Sequence, residues 1–285
     1  MDARRTSIRL IYEGTDISVD VSGDLVSFDY TDNESNTADD ISVKLKNEKE
    51  MWSAAWFPGK GDTLKAYIVH DDAELYCGTF KIDELAYSGP PKTFDIKAVS
   101  VPLSGDIRRT EKSKTWEDIK LSVIAAEIAG SGDLQLFYDV ENDPLYDRLS
   151  QREESDLKFL QRICSEEGYS LKITDQRLVV FEQKKYESLA PVAQIELGKS
   201  ALKSFSFKSQ AFDLYKSCTV SYFDPEKEQE LEETFIAPDV SDGMDKRIVK
   251  RAGSLGEAKR ISRSTLRRLN RHEVTGELSM VGNTV

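Results

Sequence analysis

The sequence has few of the residues that most often carry chemistry. Its 285 residues include two histidines, His70 and His272, and three cysteines, Cys77, Cys164 and Cys218. Because the cysteines are 87 and 54 residues apart, no C-x-x-C metal or redox motif exists. An odd and sparse set of thiols favours reduced cysteines and synthesis in the cytoplasm. We therefore expect no metal site and no bound cofactor.

Long apolar runs are also missing. No run approaches the ~20 residues of a membrane span, and the N-terminal MDARRTSIRL lacks the apolar core of a signal peptide. Hydrophobic residues make up 39% of the chain and charged residues 32%, which is typical of a globular protein. At roughly 150 residues per domain, the length predicts about two domains.

Motifs for nucleotide binding, zinc proteolysis and serine hydrolysis are absent. The stretch PGKGDT from Pro58 to Thr63 resembles a phosphate loop superficially, but it precedes a strand pattern and is better interpreted as a hairpin turn. His70 lies beside Asp71 where the chain must reverse, and a solvated turn explains it without a ligand. The 51 Asp and Glu residues leave one alternative open, a peptidoglycan hydrolase that uses a carboxylate pair.

Residues 1–104 alternate apolar and polar side chains in seven short segments, each bounded by turn residues. The first two segments are SIRLIYE and DISVDVS, beginning at Ser7 and Asp16. This period of two is typical of half-buried strands. The pattern predicts an antiparallel barrel or sandwich.

Residues 105–195 predict a small α+β domain with two helices and a hairpin. One helix is expected to begin at Thr115, with Asp118 as a capping acid, and to end at Gly130. The second is expected from Ser155 to Gly168. A strand pair should then turn at Asp175-Gln176.

Residues 196–285 predict strands again, with one helix from Glu257 to Arg271 before a final strand. Ser27–Leu45 aligns without gaps on Ser204–Tyr222, with Phe28 opposite Phe205. The alignment has two interpretations, an internal duplication or the alternation that any two strand pairs share.

One segment departs from the acidic character of the chain. Lys246 to Arg271 contains ten basic residues and one acid, a net charge of +9. Since the whole chain carries −12, the rest carries −21. Four arginines of the predicted helix fall within about 80° of arc: Arg260, Arg263, Arg267 and Arg271.

Three interpretations of this arginine stripe stay open: a solvated face, a docking surface for an acidic protein, or a nucleic-acid contact. Arginine suits protein interfaces because its planar guanidinium pairs bidentately with carboxylate. We predict an outward-facing interface, and that the double change Arg263→Glu and Arg267→Glu leaves the monomer folded but disrupts assembly.

The middle of the chain carries a recognisable pattern. Gln151 is followed by Glu154-Ser155-Asp156, then by FLQR at Phe159–Arg162, by EEG at Glu166–Gly168, and by a short hairpin. This pattern resembles the phage late control D family, and Gly61–Leu85 resembles the first barrel of that family.

That family comprises baseplate hub proteins of contractile phage tails and related injection machines. The resemblance implies a mainly β, α+β fold with two tube-like antiparallel β-barrels, at 1–104 and 196–285, flanking the insert at 105–195. It implies a homotrimer whose six barrels form a pseudo-sixfold ring joining tail tube to spike, with structural rather than catalytic output. The implied partners are a tube or tube-initiator protein, a spike or tip protein and other baseplate proteins, without specific nucleic-acid or membrane binding.

The resemblance also bears on location and on the end of the chain. It implies assembly in the bacterial cytoplasm and a final place in the tail baseplate of a phage or prophage-derived particle. Family members often continue past the strand that ends near Val285. We therefore expect the second barrel to be C-terminally shortened and to lack an edge strand.

Overall fold

The computed structural model describes residues 6–71, 73–100, 106–199, 201–224, 228–250, 252 and 254–282. These residues form two compact units. The first comprises the described residues of Met1–Gln161 and Ser170–Phe181, and the second those of Arg162–Tyr169 and Glu182–Gly282.

The first unit begins with a seven-stranded sheet in which every neighbouring pair is antiparallel. Its strand order is β2-β1-β5-β6-β7-β4-β3. The elements are β1 (Thr6–Tyr12), β2 (Thr15–Asp16), helix α1 (Ser18–Ser22), β3 (Leu25–Thr31), β4 (Asp40–Lys46), β5 (Thr63–His70), β6 (Ala73–Ser88) and β7 (Thr93–Val99).

Alternating residues of this sheet form one apolar core. Ile41, Val43 and Leu45 of β4 are all fully buried, and Phe80 of β6 and Phe94 of β7 join them. Burial on alternate positions is what the period of two predicts. The sheet therefore has one face turned to the core.

The predicted strand DISVDVS is wrong beyond Asp16. Asp16 accepts hydrogen bonds from the backbone N–H and the hydroxyl of Ser18, which starts the short helix α1. Ile17 and Val21 are buried whereas Val19 is exposed. The buried pair is spaced by four residues, the helical spacing, so the apparent alternation does not describe a strand here.

The middle of the chain adds β8 (Glu111–Lys120) paired antiparallel with β10 (Leu145–Ser155), and a three-stranded sheet in the order β11-β12-β9. Strands β12 and β9 are parallel. The remaining bounds are α2 (Asp106–Arg109), α3 (Leu121–Ser131), β9 (Gln135–Asp139), α4 (Asp156–Glu167), β11 (Ser170–Thr174) and β12 (Arg177–Phe181).

The predicted helix at Thr115 begins too early. Thr115 and Trp116 lie in β8, where they pair with residues of β10. Helix α3 starts only after Lys120, which makes no side-chain cap, so the expected capping box with Asp118 is wrong. The apolar residues of 116–126 belong partly to β8, which ends at Lys120, and partly to α3, so their helical spacing does not describe one helix. The partner strand lies some thirty residues away in sequence and leaves no local signal.

The second predicted helix and the hairpin are confirmed. Helix α4 begins at Asp156, directly after Ser155, and Gly168 follows it with φ +83°. Asp175 and Gln176 have φ +45° and +59° between the antiparallel strands β11 and β12. Asp tolerates this left-handed region better than most residues, which favours the tight turn.

The second unit contains two further sheets. Strand β14 lies between β15, antiparallel, and β16, parallel, while β13 pairs antiparallel with β17. The bounds are α5 (Gln183–Glu187), β13 (Leu202–Ser209), β14 (Tyr215–Asp224), β15 (Gln229–Ile236), β16 (Met244–Val249), α6 (Leu255–Asn270) and β17 (Val274–Met280).

Each of the two aligned segments contains two strands, but the strands have different partners. Strand β3 pairs with β4, whereas β13 pairs with β17 and not with β14 among the described residues. The alignment therefore reflects alternation common to strands rather than a shared pairing. The predicted class, α+β and mainly β, is confirmed.

Candidate protein interface

Helix α6 carries the arginine stripe on an amphipathic scaffold. Its inner face packs against β14 and β15, with Ala258, Ile261 and Leu266 buried. The Ser254 hydroxyl accepts a hydrogen bond of 3.1 Å from the N–H of Glu257, which caps the first turn. The helix is thereby held with its arginines on the remaining arc.

Arg260 does not face outward, so the predicted orientation is wrong for this residue. Its guanidinium forms an ion pair with Glu167, whose side chain is 1% exposed, and also donates to the Glu167 carbonyl at 3.2 Å. Burial acts to lower the pKa of Arg260, but the charge of Glu167 and its hydrogen bond outweigh burial and raise it. Arg260 therefore joins α6 to the last residue of α4.

Two other arginines of the stripe also have neighbours inside the second unit. The Arg263 guanidinium carbon lies 5.6 Å from the ring centre of Phe235, and Arg267 contacts the carboxylate of Glu187 at 2.5 Å. Arg271, just after the helix, is exposed. The four arginines therefore lie on one side of the helix, but the exposed ones, Arg267 and Arg271, are at its C-terminal end.

The EEG sequence explains how α6 docks. Besides Glu167, Glu166 pairs with Lys250 at 2.9 Å and its carbonyl accepts from the Ser264 hydroxyl at 3.3 Å. A Cβ added to Gly168 would collide with the Cβ of Ser264. Sequence reasoning singled out this motif but missed its contact with the basic segment, because the two acids and their partners are some ninety residues apart.

Gln151 and the sequence Glu154-Ser155-Asp156 also hold elements together. Gln151 and Asp156 are buried, and the Gln151 amide donates to Asp156 Oδ1 at 2.9 Å and to the Glu154 carbonyl at 2.8 Å. Lys112 of β8 neutralises Asp156 at 2.6 Å. A buried charge needs such partners. The motif therefore ties strand β10 to the start of α4.

The remaining chemical candidates are dispersed. His70 ends β5, with Nδ1 3.3 Å from the Thr6 hydroxyl and Nε2 3.6 Å from Asp71. All three cysteines are buried and free, and burial raises the pKa of Cys77 to about 11 and of Cys164 to about 12. Within the described ranges, no group of three His, Cys, Asp or Glu side chains could hold a metal ion.

A cavity in the first unit is small and apolar. It offers about 30 Å³, and Leu10, Trp52 and Ile82 are among its lining residues. Among the helices that the structure describes, none is both long and apolar enough to span a bilayer.

Comparison with known proteins identifies a relative in sequence and several proteins of similar fold. No family model matches. The chain is 27% identical over 172 residues to the probable baseplate hub protein of Escherichia phage P2. That alignment spans 60% of this chain and 43% of the phage protein.

The fold is similar to that of solved tail proteins. The tail protein from Neisseria meningitidis MC58 superposes with a TM-score of 0.71 at 12% identity, over 97% of this chain and 81% of that one. A Francisella PdpA-VgrG complex superposes with a TM-score of 0.53 at 8% identity, over 88% and 40%. The phage P2 relative confirms the likeness to phage baseplate hub proteins that the middle of the sequence predicts, and the solved structures show a shared fold.

Proposed function

We propose that this chain is a structural baseplate hub protein of a phage tail or a phage-like contractile injection system. The observation that carries the proposal is the alignment with the phage P2 protein named a probable baseplate hub protein. The fold shared with the Neisseria tail protein supports it. Membership of the late control D family is part of the proposal.

The finer assembly is proposed as a homotrimer. Each copy contributes a barrel from 1–104 and a second from 196–285, with the insert at 105–195 between them in sequence. Six barrels then form a pseudo-sixfold ring that joins the tail tube to a spike. The likeness of the fold to a chain of a complex containing VgrG supports a spike-type partner. We propose assembly in the bacterial cytoplasm and a final place in the tail baseplate.

The arginine stripe is proposed as part of the subunit contact. Arg260 positions the helix through Glu167, while Arg267 and Arg271 supply charge at the surface. An acidic protein is the matching partner, because the chain outside Lys246–Arg271 carries −21. A closed ring needs two different contact surfaces on each copy, which suits a chain with one basic segment in an acidic body.

Mass measurement of the full chain tests this function. Light scattering over a range of concentrations is expected to approach about 97 kDa, three times the 32.2 kDa of one chain. A monomer at all concentrations would contradict the trimer. Clearing of peptidoglycan in a zymogram, abolished by a single carboxylate change, would instead favour the hydrolase alternative.

A further inference from the structure

Strands β13 and β17 form a two-stranded ribbon in the second unit. Phe205 lies opposite Leu278 and Phe207 opposite Gly276. Backbone hydrogen bonds from Gln210 to Glu273 (2.8 Å) and from Val281 to Ala201 (2.9 Å) extend the pairing at both ends. Two-stranded pairs are marginally stable in water unless a helix or another strand covers them.

The ribbon has one apolar face, and that face is exposed. Alternation places Phe205, Phe207, Val274, Gly276 and Leu278 on the same side. Phe205 is 54% exposed, Phe207 63%, Val274 60% and Leu278 46%. The opposite face is polar, with Ser206, Lys208, Thr275 and Glu277.

Side chains of the apolar face lie close to one another. The Phe207 ring lies over Gly276, where an added Cβ would collide with the ring. The rings of Phe205 and Phe207 are 6.1 Å apart between centroids. A preformed apolar surface of this kind is typical of a contact that another protein covers.

The basic residues beside the ribbon indicate which kind of protein covers its apolar face. The basic segment ends at Arg271, and β17 begins three residues later, so exposed Arg268 and Arg271 precede the ribbon directly. An apolar surface with a basic rim fits an acidic protein. The rest of this chain, at −21, has that character.

We infer that the Phe205–Phe207–Leu278 face of the ribbon is covered by a second copy of this chain, which contacts it through an acidic surface outside Lys246–Arg271. The inference rests on the proposed function, since it gives the trimer one of its contacts. Two ribbons facing each other would bring two basic rims together. The contact is therefore heterologous, as ring closure requires.

The test compares two full-length variants by light scattering and sedimentation. Phe205→Ser with Phe207→Ser is expected to weaken self-association by about tenfold or more, because aromatic side chains at the centre of an interface dominate its affinity. Phe137→Ser is the matched control, since Phe137 is a 49% exposed phenylalanine on β9 of the first unit. It should leave the mass unchanged.

The outcomes separate the inference from the proposed function. A wild-type trimer whose association survives the double substitution would overturn the inference and leave the hub function standing. A wild-type chain that stays monomeric would overturn both. Circular dichroism checks that the variants fold. Should the double variant unfold, Leu278→Ser decides by the same tenfold criterion, because it leaves both rings in place.

Discussion

At the scale of single residues, Arg260 shows how a surface charge pattern can hide an internal contact. Its spacing with the other arginines was predictable from a period of 3.6 residues. Its partner was not, because Glu167 is 93 residues away in sequence and only the fold brings the two together. The carboxylate of Glu167 is buried, so losing this paired cation is costly.

Arg260→Ala is therefore expected to destabilise the chain by about 3 kcal/mol, at the lower end of the cost of breaking a buried ion pair. Urea unfolding followed by circular dichroism would measure it. Arg271→Ala is the control, because Arg271 is exposed and a surface change of this kind costs within about 0.5 kcal/mol. Equal losses in the two variants would contradict a structural role for Arg260.

At the scale of elements, the predictable parts are those whose signals are local. Helix α4 and the hairpin at Asp175-Gln176 follow from a start at Ser155, a glycine stop and a turn that permits positive φ. Strand β8 could not be identified in this way, because only its pairing with β10 shows that Trp116 is in a strand. Strand β16 likewise gives no clear local signal, since MDKRIV is short and charged and its pairing is parallel.

Gly168 gives a prediction at this scale. It ends α4 with φ +83° and lies against Ser264 of α6. Gly168→Ala should cost the backbone penalty of about 1–2 kcal/mol for a left-handed residue, plus the displacement of α6. Gly14→Ala isolates the first part, because Gly14 has the same φ of +83° and no atom within 4 Å of its added Cβ.

Urea unfolding would measure the free energy of unfolding lost in each of these two glycine variants. The difference between the two losses is the cost of the contact between Gly168 and Ser264. A larger loss for Gly168→Ala is expected. Losses of the same size would mean that α6 moves away from Gly168 without cost, and that the EEG sequence does not fix its position.

At the scale of the whole molecule, the class was predictable but the strand order was not. Alternation in 1–104 indicates antiparallel strands, and the first unit has seven of them in one sheet. Their order brings β4 beside β7, strands some fifty residues apart in sequence, and no local pattern encodes that choice. The position of the four arginines on one side of a helix was likewise predictable. The exposed ribbon was not, because it depends on the pairing of β13 with β17, which are far apart in sequence.

The charge distribution gives a prediction at this largest scale. Arg268→Glu with Arg271→Glu is expected to weaken self-association, and added salt should weaken the wild type more than this variant because ions screen the attraction. This pair is a cleaner test than Arg263 and Arg267, which contact Phe235 and Glu187 within the unit. Sedimentation at 50 and 500 mM salt would measure both effects.

Arg108→Glu with Arg109→Glu is the matched control for that experiment. Both arginines are adjacent and exposed on α2, so the double change alters the net charge by the same amount in the first unit. Its association constant should change little. A comparable loss in this control would assign the effect to total charge rather than to the rim beside the ribbon.

The ribbon also affects how readily copies of the chain aggregate. In the part of the chain that the structure describes, β13 and β17 each pair on one side only. An unpaired strand edge is a template for other strands, and a head-to-tail contact that fails to close propagates into filaments. If the proposed ring forms, its closure competes with fibre growth among newly made copies. Expression in excess of its assembly partners should favour fibres.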